Sequence, residues 1–257
     1  MDKKIQNIIN KKNKSKIVSL TAYSKNIAKI LDKYCDIVLV GDSVANVLYG
    51  LNNTHKVNLE NMIQHTASVR KGIKKSLLVV DMPKGSYGNF KLAKKNAKLL
   101  MKKTDCDAVK IESNKKNFKI IKFLVKDKIP VMGHIGFTPQ FKKKFKIEGN
   151  SKKKAEKLLK EAKNIEKAGA FSIVLECINS EASKLITNSL KIPTIGIGSS
   201  VYCDGQVLVT DDLIGLNQTN IKFVKKFLNV KKYINSGLRK FAYEVRTSKY
   251  PTKKHSY

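Results

Sequence analysis

The chain has 257 residues, 42% of them hydrophobic, and a formal net charge of +32 from 52 Lys and Arg against 20 Asp and Glu. It is too apolar for a disordered basic tail and long enough for one (β/α)8 barrel of about 250 residues. It lacks the run of roughly 18 apolar residues that a membrane span needs. The N-terminal stretch MDKKIQNIINKKNKSK is basic, with neither the apolar centre of a signal peptide nor the arginines of a transit peptide. The expectation is a cytoplasmic protein. Arg70, Arg239 and Arg246 are the only arginines, and Lys is spread almost evenly from end to end. Phosphate-holding surfaces favour the planar fork of Arg. An AT-biased genome enriches Lys, Asn and Ile together, so the charge reads as composition bias and no specific nucleic-acid partner is expected. Cys35, Cys106, Cys177 and Cys203 form no CxxC pair or metal spacing and read as reduced thiols.

In chain order, short apolar runs alternate with Lys-rich amphipathic stretches. Strands are expected at KIVSLTAY from Lys16, DIVLVGDS from Asp36, SLLVVDMP from Ser76 and DAVKIES from Asp107. They continue at IPVMGHIG from Ile129, FSIVLEC from Phe171, IPTIGIGS from Ile192 and a weaker GQVLVTDD from Gly205. Continuous apolar runs of this length suit strands buried on both faces of a parallel sheet. Helical spacing of apolar residues marks 26–33, 58–74, 91–103, 115–126, 152–167, 181–190 and 219–241. Ser151 and Gly169 are placed to cap the clearest of these. About eight β–α alternations without a linker predict a single (β/α)8 barrel over 1–257, with a basic N-terminal extension at about 1–15. A doubly wound open sheet is the alternative. The Lys runs at 142–144 and 152–154 read as solvated surface.

Several strands end in an acid: Asp42 in Gly41-Asp42-Ser43, Asp81, Glu112 after Lys110, and Glu176. Parallel strands bring their C-terminal ends to one face, where a barrel builds its active site. The bland reading of any one such acid is a helix cap or a partner for a nearby Lys. Four on one inferred face point instead to a site. Carboxylates that converge repel one another, a divalent cation relieves this, and an all-oxygen set suits Mg2+ better than Zn2+. A remaining carboxylate can act as a general base. Lys110 lies two residues from Glu112 and so shares its face of the strand, where it can neutralise an anionic substrate or a developing enolate.

At these residues the sequence resembles the ketopantoate hydroxymethyltransferases. The matching stretches are TAYSKNIAKILD, VLVGDSVANVLYG, QHTASVRKG, VKIE, IPVMGHIGFTPQ, VLEC, IPTIGIGSS with CDGQVLV, and YPTKKHS, from about Thr21 to Ser256. The resemblance implies a (β/α)8 barrel assembled as a homo-oligomer, often a decamer. It also implies transfer of a hydroxymethyl group from 5,10-methylenetetrahydrofolate to 3-methyl-2-oxobutanoate with Mg2+, on the way to pantothenate. By motif, Asp42, Asp81 and Glu112 resemble the metal ligands. Ser43 and Lys110 match positions that hold the ketoacid, which Asp42 and Asp81 also reach. Glu176 matches the base. His134 in GHIG is a further ketoacid or folate contact, or else a hydrogen-bonded structural histidine.

Two departures stand out. The family usually carries GIGAG where this chain reads Gly196-Ile-Gly-Ser199-Ser200, and the segment after Gln140 is short and reads FKKKFKIEG. The first puts loop conformation in doubt, the second a lid. The nearest rival is a Mg2+-dependent lyase or mutase acting on an α-ketoacid on the same barrel, but no catalytic-cysteine loop of that kind is visible. Among the remaining residues, His65 reads as packing, and His55 is uninformative. His255 lies in the family-like tail, which makes it a possible subunit contact. Tyr87 reads more simply as exposed than as pocket lining, and Gly196 and Gly198 as close backbone packing.

Overall fold

The computed structural model describes residues 2–113, 117–142, 145–217 and 220–257. It divides into two compact units, 1–209 and 210–257. The first unit opens with helix α1 (Lys3–Asn10), followed by β1 (Ile17–Thr21), α2 (Lys25–Leu31), β2 (Ile37–Val40), α3 (Val44–Val47) and α4 (Leu59–Arg70). Next come β3 (Leu77–Asp81), α5 (Phe90–Thr104), β4 (Ala108–Glu112), α6 (Phe118–Lys126) and β5 (Val131–Gly136). The unit ends with α7 (Lys152–Lys167), β6 (Ser172–Glu176), α8 (Ser180–Ser189), β7 (Thr194–Ile197) and β8 (Gly205–Leu208). The strands close into a barrel in sequence order, every pair parallel. This is the (β/α)8 architecture that the alternation predicts; the open sheet is excluded.

The near-continuous apolar strands bury both faces. Val38, Val40, Leu78, Val80, Val109 and Ile111 pack outward against the helices in one large core. The alternate residues Ile37, Leu39, Leu77, Val79, Ala108, Met132, Val174 and Val207 belong to a second core. Side chains along a strand alternate between faces, so this second core fills the barrel interior. Ile5 and Ile8 of α1 join it, 1% and 3% exposed. The basic stretch read as an extension therefore carries an amphipathic helix that adds to the interior packing. Asp2 caps this helix by accepting from the Lys4 N–H at 2.7 Å.

Helix boundaries follow local chemistry. Asn58 and Asn61 form a reciprocal capping box at the start of α4, and Asn89 caps α5. Ser151 has the extended backbone of an N-cap at α7 but makes no side-chain cap bond, while Gly169 after its end has φ +92°. The expected helix at 115–126 begins at Phe118; residues 114–116 lie outside the described residues.

The second unit contains α9 (Thr210–Leu213) and α10 (Val230–Arg246). The helix expected over 219–241 starts only at Val230, and Thr219 lies outside the described residues. The backbone before it is engaged elsewhere: the Phe227 N–H donates to the Leu213 carbonyl. Chain that pairs with the end of α9 cannot also build the i to i−4 ladder of a helix. Among the described residues no helix is long and apolar enough to cross a membrane.

Candidate active site

Parallel register does the assembling. Asp81 pairs with Lys110 across β3 and β4, Glu112 with His134 across β4 and β5, and Gly136 with Glu176 across β5 and β6. Asp81, Lys110, Glu112, His134 and Glu176 continue, at two-residue steps, the inward-facing apolar positions below them. They therefore form the polar top of the barrel interior. Asp42 follows directly on β2, and its backbone N–H donates to Asp81 Oδ2 at 3.0 Å. Lys110 Nζ donates to Asp81 Oδ1 at 2.9 Å, both side chains buried. Ser43 exchanges a 2.8 Å hydrogen bond with the Tyr23 hydroxyl. The strand-end acids are thus not helix caps.

Three buried acids, Asp42, Asp81 and Glu112, and the partly buried Glu176 gather around one ammonium, and their proton affinities respond. Burial, then repulsion from Asp81, pushes Asp42 up to about 7. Burial, then Asp42, raises Glu112 well above the usual carboxylate range. Burial likewise lifts Glu176 to about 7, with Lys110 opposing and Asp81 adding. Burial by itself disfavours the charged Lys110, but Asp81, Glu112 and Asp42 outweigh it and hold the ammonium above its ordinary value.

His134 is 1% exposed, and burial, reinforced by Lys110, holds it well below the usual imidazole range. It is therefore neutral. Its Nε2 lies 3.2 Å from Glu176 Oε2 and its Nδ1 lies 3.6 Å from Glu112 Oε1. Neither approach is aligned as a hydrogen bond within the chain. The imidazole thus stands between Glu112 and Glu176, a placement that serves a structural histidine and a substrate contact alike.

The backbone around Glu176 is tightly clamped. Its carbonyl accepts from the Phe137 N–H at 2.8 Å, and the next residue, Cys177, takes φ +52° while donating to the Ile197 carbonyl at 2.8 Å. Gly136 has φ +97°, and a Cβ there would sit 2.1 Å from the Glu176 carbonyl oxygen. Only glycine fits that approach. The Ser199 hydroxyl donates to the Leu175 carbonyl at 2.7 Å and accepts from the Ile178 N–H at 3.2 Å, spanning the same turn. Within Gly196-Ile-Gly-Ser-Ser the positive φ falls at Gly198. The glycine missing from the end of the motif is therefore not the one the loop's backbone uses. Gly196 is packed closely, since a Cβ would meet Gln206 Oε1 at 2.9 Å.

Tyr87 departs from expectation. It is 3% exposed, and its hydroxyl donates to Gln140 Oε1 at 2.5 Å. Gln140, within GHIGFTPQ, is 1% exposed and reaches Asp42; it was not among the expected site residues, although the quoted motif contains it. In the run at 142–144, Lys142 is a partly exposed surface residue whose Nζ bonds the Gly136 carbonyl and Glu148 Oε1, each at 2.6 Å. Lys143 and Lys144 lie outside the described residues. His65 is bonded to Tyr49 at 2.7 Å and to the Tyr23 carbonyl at 2.9 Å, as a packing histidine should be. His55 contacts the Pro139 carbonyl at 3.0 Å. His255 bonds Thr252 within the second unit. All four cysteines are free and buried.

The family model for ketopantoate hydroxymethyltransferase matches residues 2–253. The chain belongs to that family. It is 58% identical to the 3-methyl-2-oxobutanoate hydroxymethyltransferase of Pelagibacter ubique (strain HTCC1062) over the full length of both. It is 43% identical to the enzyme of the same name from Clostridioides difficile (strain 630), covering 100% of this chain and 96% of the other. It is accordingly a hydroxymethyltransferase. Solved structures with the same barrel include a phosphonopyruvate hydrolase complexed with oxalate and Mg2+ (TM-score 0.61, 11% identity, 98% of this chain and 93% of that one). Another is a phosphoenolpyruvate phosphomutase from Streptomyces platensis subsp. rosaceus (TM-score 0.64, 10% identity, 95% and 87%). At such identities they share the fold and nothing finer, so the lyase reading is left with the barrel alone.

Proposed function

We propose that the chain transfers a hydroxymethyl group from 5,10-methylenetetrahydrofolate to 3-methyl-2-oxobutanoate, giving 2-dehydropantoate for pantothenate synthesis. The observation that carries this reading is the buried Asp81–Lys110 pair, 2.9 Å apart and surrounded by Asp42, Glu112 and Glu176. It is a compact acidic cluster with one fixed cation and two acids, Asp42 and Glu176, of near-neutral proton affinity. The donor set fits a hard divalent cation, because it is all oxygen and its charge is uncompensated. Among the described residues no three metal-ligating side chains stand gathered as a ready-made cluster. In this reading the ion's own waters complete its shell, as Mg2+ commonly keeps several. In this reading Asp42, Asp81 and Glu112 hold Mg2+, and the ion when bound polarises the ketoacid's carbonyl.

The chain's own groups do the rest. Lys110 and Ser43 hold the ketoacid. His134, held neutral beside Glu176, offers it a hydrogen bond. The Glu176 carboxylate takes the proton from C3, for which an affinity near 7 is well matched at neutral pH. The resulting enolate, stabilised by the Lys110 ammonium, forms the new C–C bond to the one-carbon unit. Water supplies the hydroxyl oxygen and tetrahydrofolate departs.

The test is NMR of 3-methyl-2-oxobutanoate in D2O with Mg2+. Wild type should exchange the C3 proton, and Glu176→Gln should lose exchange by at least about 100-fold while still binding the ketoacid. Retained exchange removes Glu176 from the role of base.

The protein is further proposed to work in the cytoplasm as a homo-oligomer, with the family's decamer as the expected form. Support comes from α10, where Ile234, Leu238, Phe241 and Val245 form an exposed stripe and no residue of the helix is buried. Light scattering of Leu238→Lys should show a smaller assembly than wild type.

A further inference from the structure

Gln140, in the loop after β5, is a buried side chain of the barrel mouth with no part in that chemistry. Its Nε2 donates to Asp42 Oδ2 at 2.9 Å and to the Met82 carbonyl at 3.0 Å. A primary amide nitrogen has two hydrogens, so both are used. The Met82 carbonyl can only accept, which fixes the nitrogen on that side and leaves Oε1 to accept from the Tyr87 hydroxyl at 2.5 Å. The backbone N–H of the same residue donates to Glu112 Oε2 at 3.0 Å. One residue thus binds the carboxylates of two different strands, each through one oxygen. The second oxygen of each carboxylate carries no hydrogen bond from these partners.

We propose that Gln140 is a positioning residue for the cation site: its side-chain amide sets Asp42, its backbone N–H sets Glu112, and Tyr87 keeps the amide the right way round. This rests on the reading of Asp42 and Glu112 as ligands. A freely rotating Asp42 must be ordered when the ion binds, at a cost in affinity, whereas a carboxylate held by an amide is already aimed. Removing such an outer partner typically weakens metal binding 10–100-fold. Tyr87 acts one step further out. Without its hydroxyl, Oε1 loses its partner in a buried place, and only the Met82 carbonyl still holds the amide toward Asp42.

The experiment is a Mn2+ titration of the full chain, free Mn2+ being read by electron paramagnetic resonance, with thermal midpoints measured alongside. Gln140→Met keeps the side-chain length and the backbone N–H bond to Glu112, and removes only the amide. Its expected Mn2+ affinity is about 10- to 100-fold below wild type, with Tyr87→Phe showing a smaller loss in the same direction. A merely structural residue would lower the thermal midpoint and leave the affinity of the folded protein unchanged; that result overturns the proposal. If Gln140→Met does not fold, Tyr87→Phe decides alone, and wild-type affinity there overturns it equally. Wild-type protein that binds no Mn2+ would overturn the cation reading itself, and the proposal with it. Wild type that binds tightly while Gln140→Met also binds tightly removes the positioning role and leaves that reading standing.

Discussion

The two ends of the barrel interior are built on the same strands and differ completely in chemistry. At the N-terminal end, Ile37, Leu77, Ala108 and Met132 pack with Phe171 and with Ile5 and Ile8 of α1 into a dry plug. At the C-terminal end, the inward positions on β3, β4, β5 and β6 are Asp81, Lys110, Glu112, His134 and Glu176. The lower end holds the barrel together. The upper end gathers like charges in a buried place, which works against stability. The comparison shows how a small barrel pays for a site: the plug supplies the stability that the site consumes.

The largest expected effect comes from breaking the upper end's one ion pair. Lys110→Met leaves Asp81 buried without its 2.9 Å partner. Loss of one partner of a buried pair costs about 3–5 kcal/mol, and urea unfolding at pH 8 reads it. A cost below about 1 kcal/mol would mean that water or another donor already serves Asp81. Next comes the lower end. Ile8→Ala should cost about 2–4 kcal/mol, while activity per folded molecule stays at the wild-type level. Loss of activity without loss of stability would show that the two ends are not separable.

A third effect is a pH dependence whose sign distinguishes the ends. Glu176 has an ordinary value of 4.5 and is pushed up to about 7 in the fold. Below about pH 4.5 it is protonated in folded and unfolded chains alike, and adds no penalty. Between there and about pH 7 the unfolded chain gives up this proton while the folded chain keeps it, so stability falls as pH rises. Above about pH 7 the penalty is complete, at most roughly 3 kcal/mol. Metal-free Glu176→Gln should therefore lose stability less steeply than wild type between pH 4.5 and 7. Ile8→Ala should leave that slope unchanged. Parallel slopes for wild type and Glu176→Gln would mean the carboxyl is solvated after all.

What could be read from the sequence follows the same division. The strands were legible because burial on both faces leaves continuous apolar runs, and Asp42, Asp81, Glu112 and Glu176 because an acid at the end of such a run breaks its pattern. Gln140 and Tyr87 were not. Their importance lies in bonds between the loops after β3 and β5, and residues 53 positions apart leave no period in the chain. α1 was hidden differently, since eight residues with only two buried isoleucines look like a basic tail until the barrel end they cover is known. The late start of α10 came from backbone pairing with α9, which no side-chain pattern records.

The smallest expected effect probes where this chain departs from the family's usual GIGAG. Ser199 ties the Leu175 carbonyl to the Ile178 N–H, spanning the left-handed turn at Cys177 that presents Glu176. Ser199→Ala removes both bonds and should cost about 1 kcal/mol, the net worth of hydrogen bonds that water can partly replace. Catalysis should hardly move. The same turn is secured from the other side by the Phe137 N–H on the Glu176 carbonyl and by the Cys177 N–H on the Ile197 carbonyl. It is closed sterically by Gly136, whose missing Cβ leaves room for the Glu176 carbonyl. If Ser199→Ala instead slows C3 exchange several-fold with thermal stability intact, the serine has become part of how this chain aims its base. The backbone clamp would then be insufficient without it.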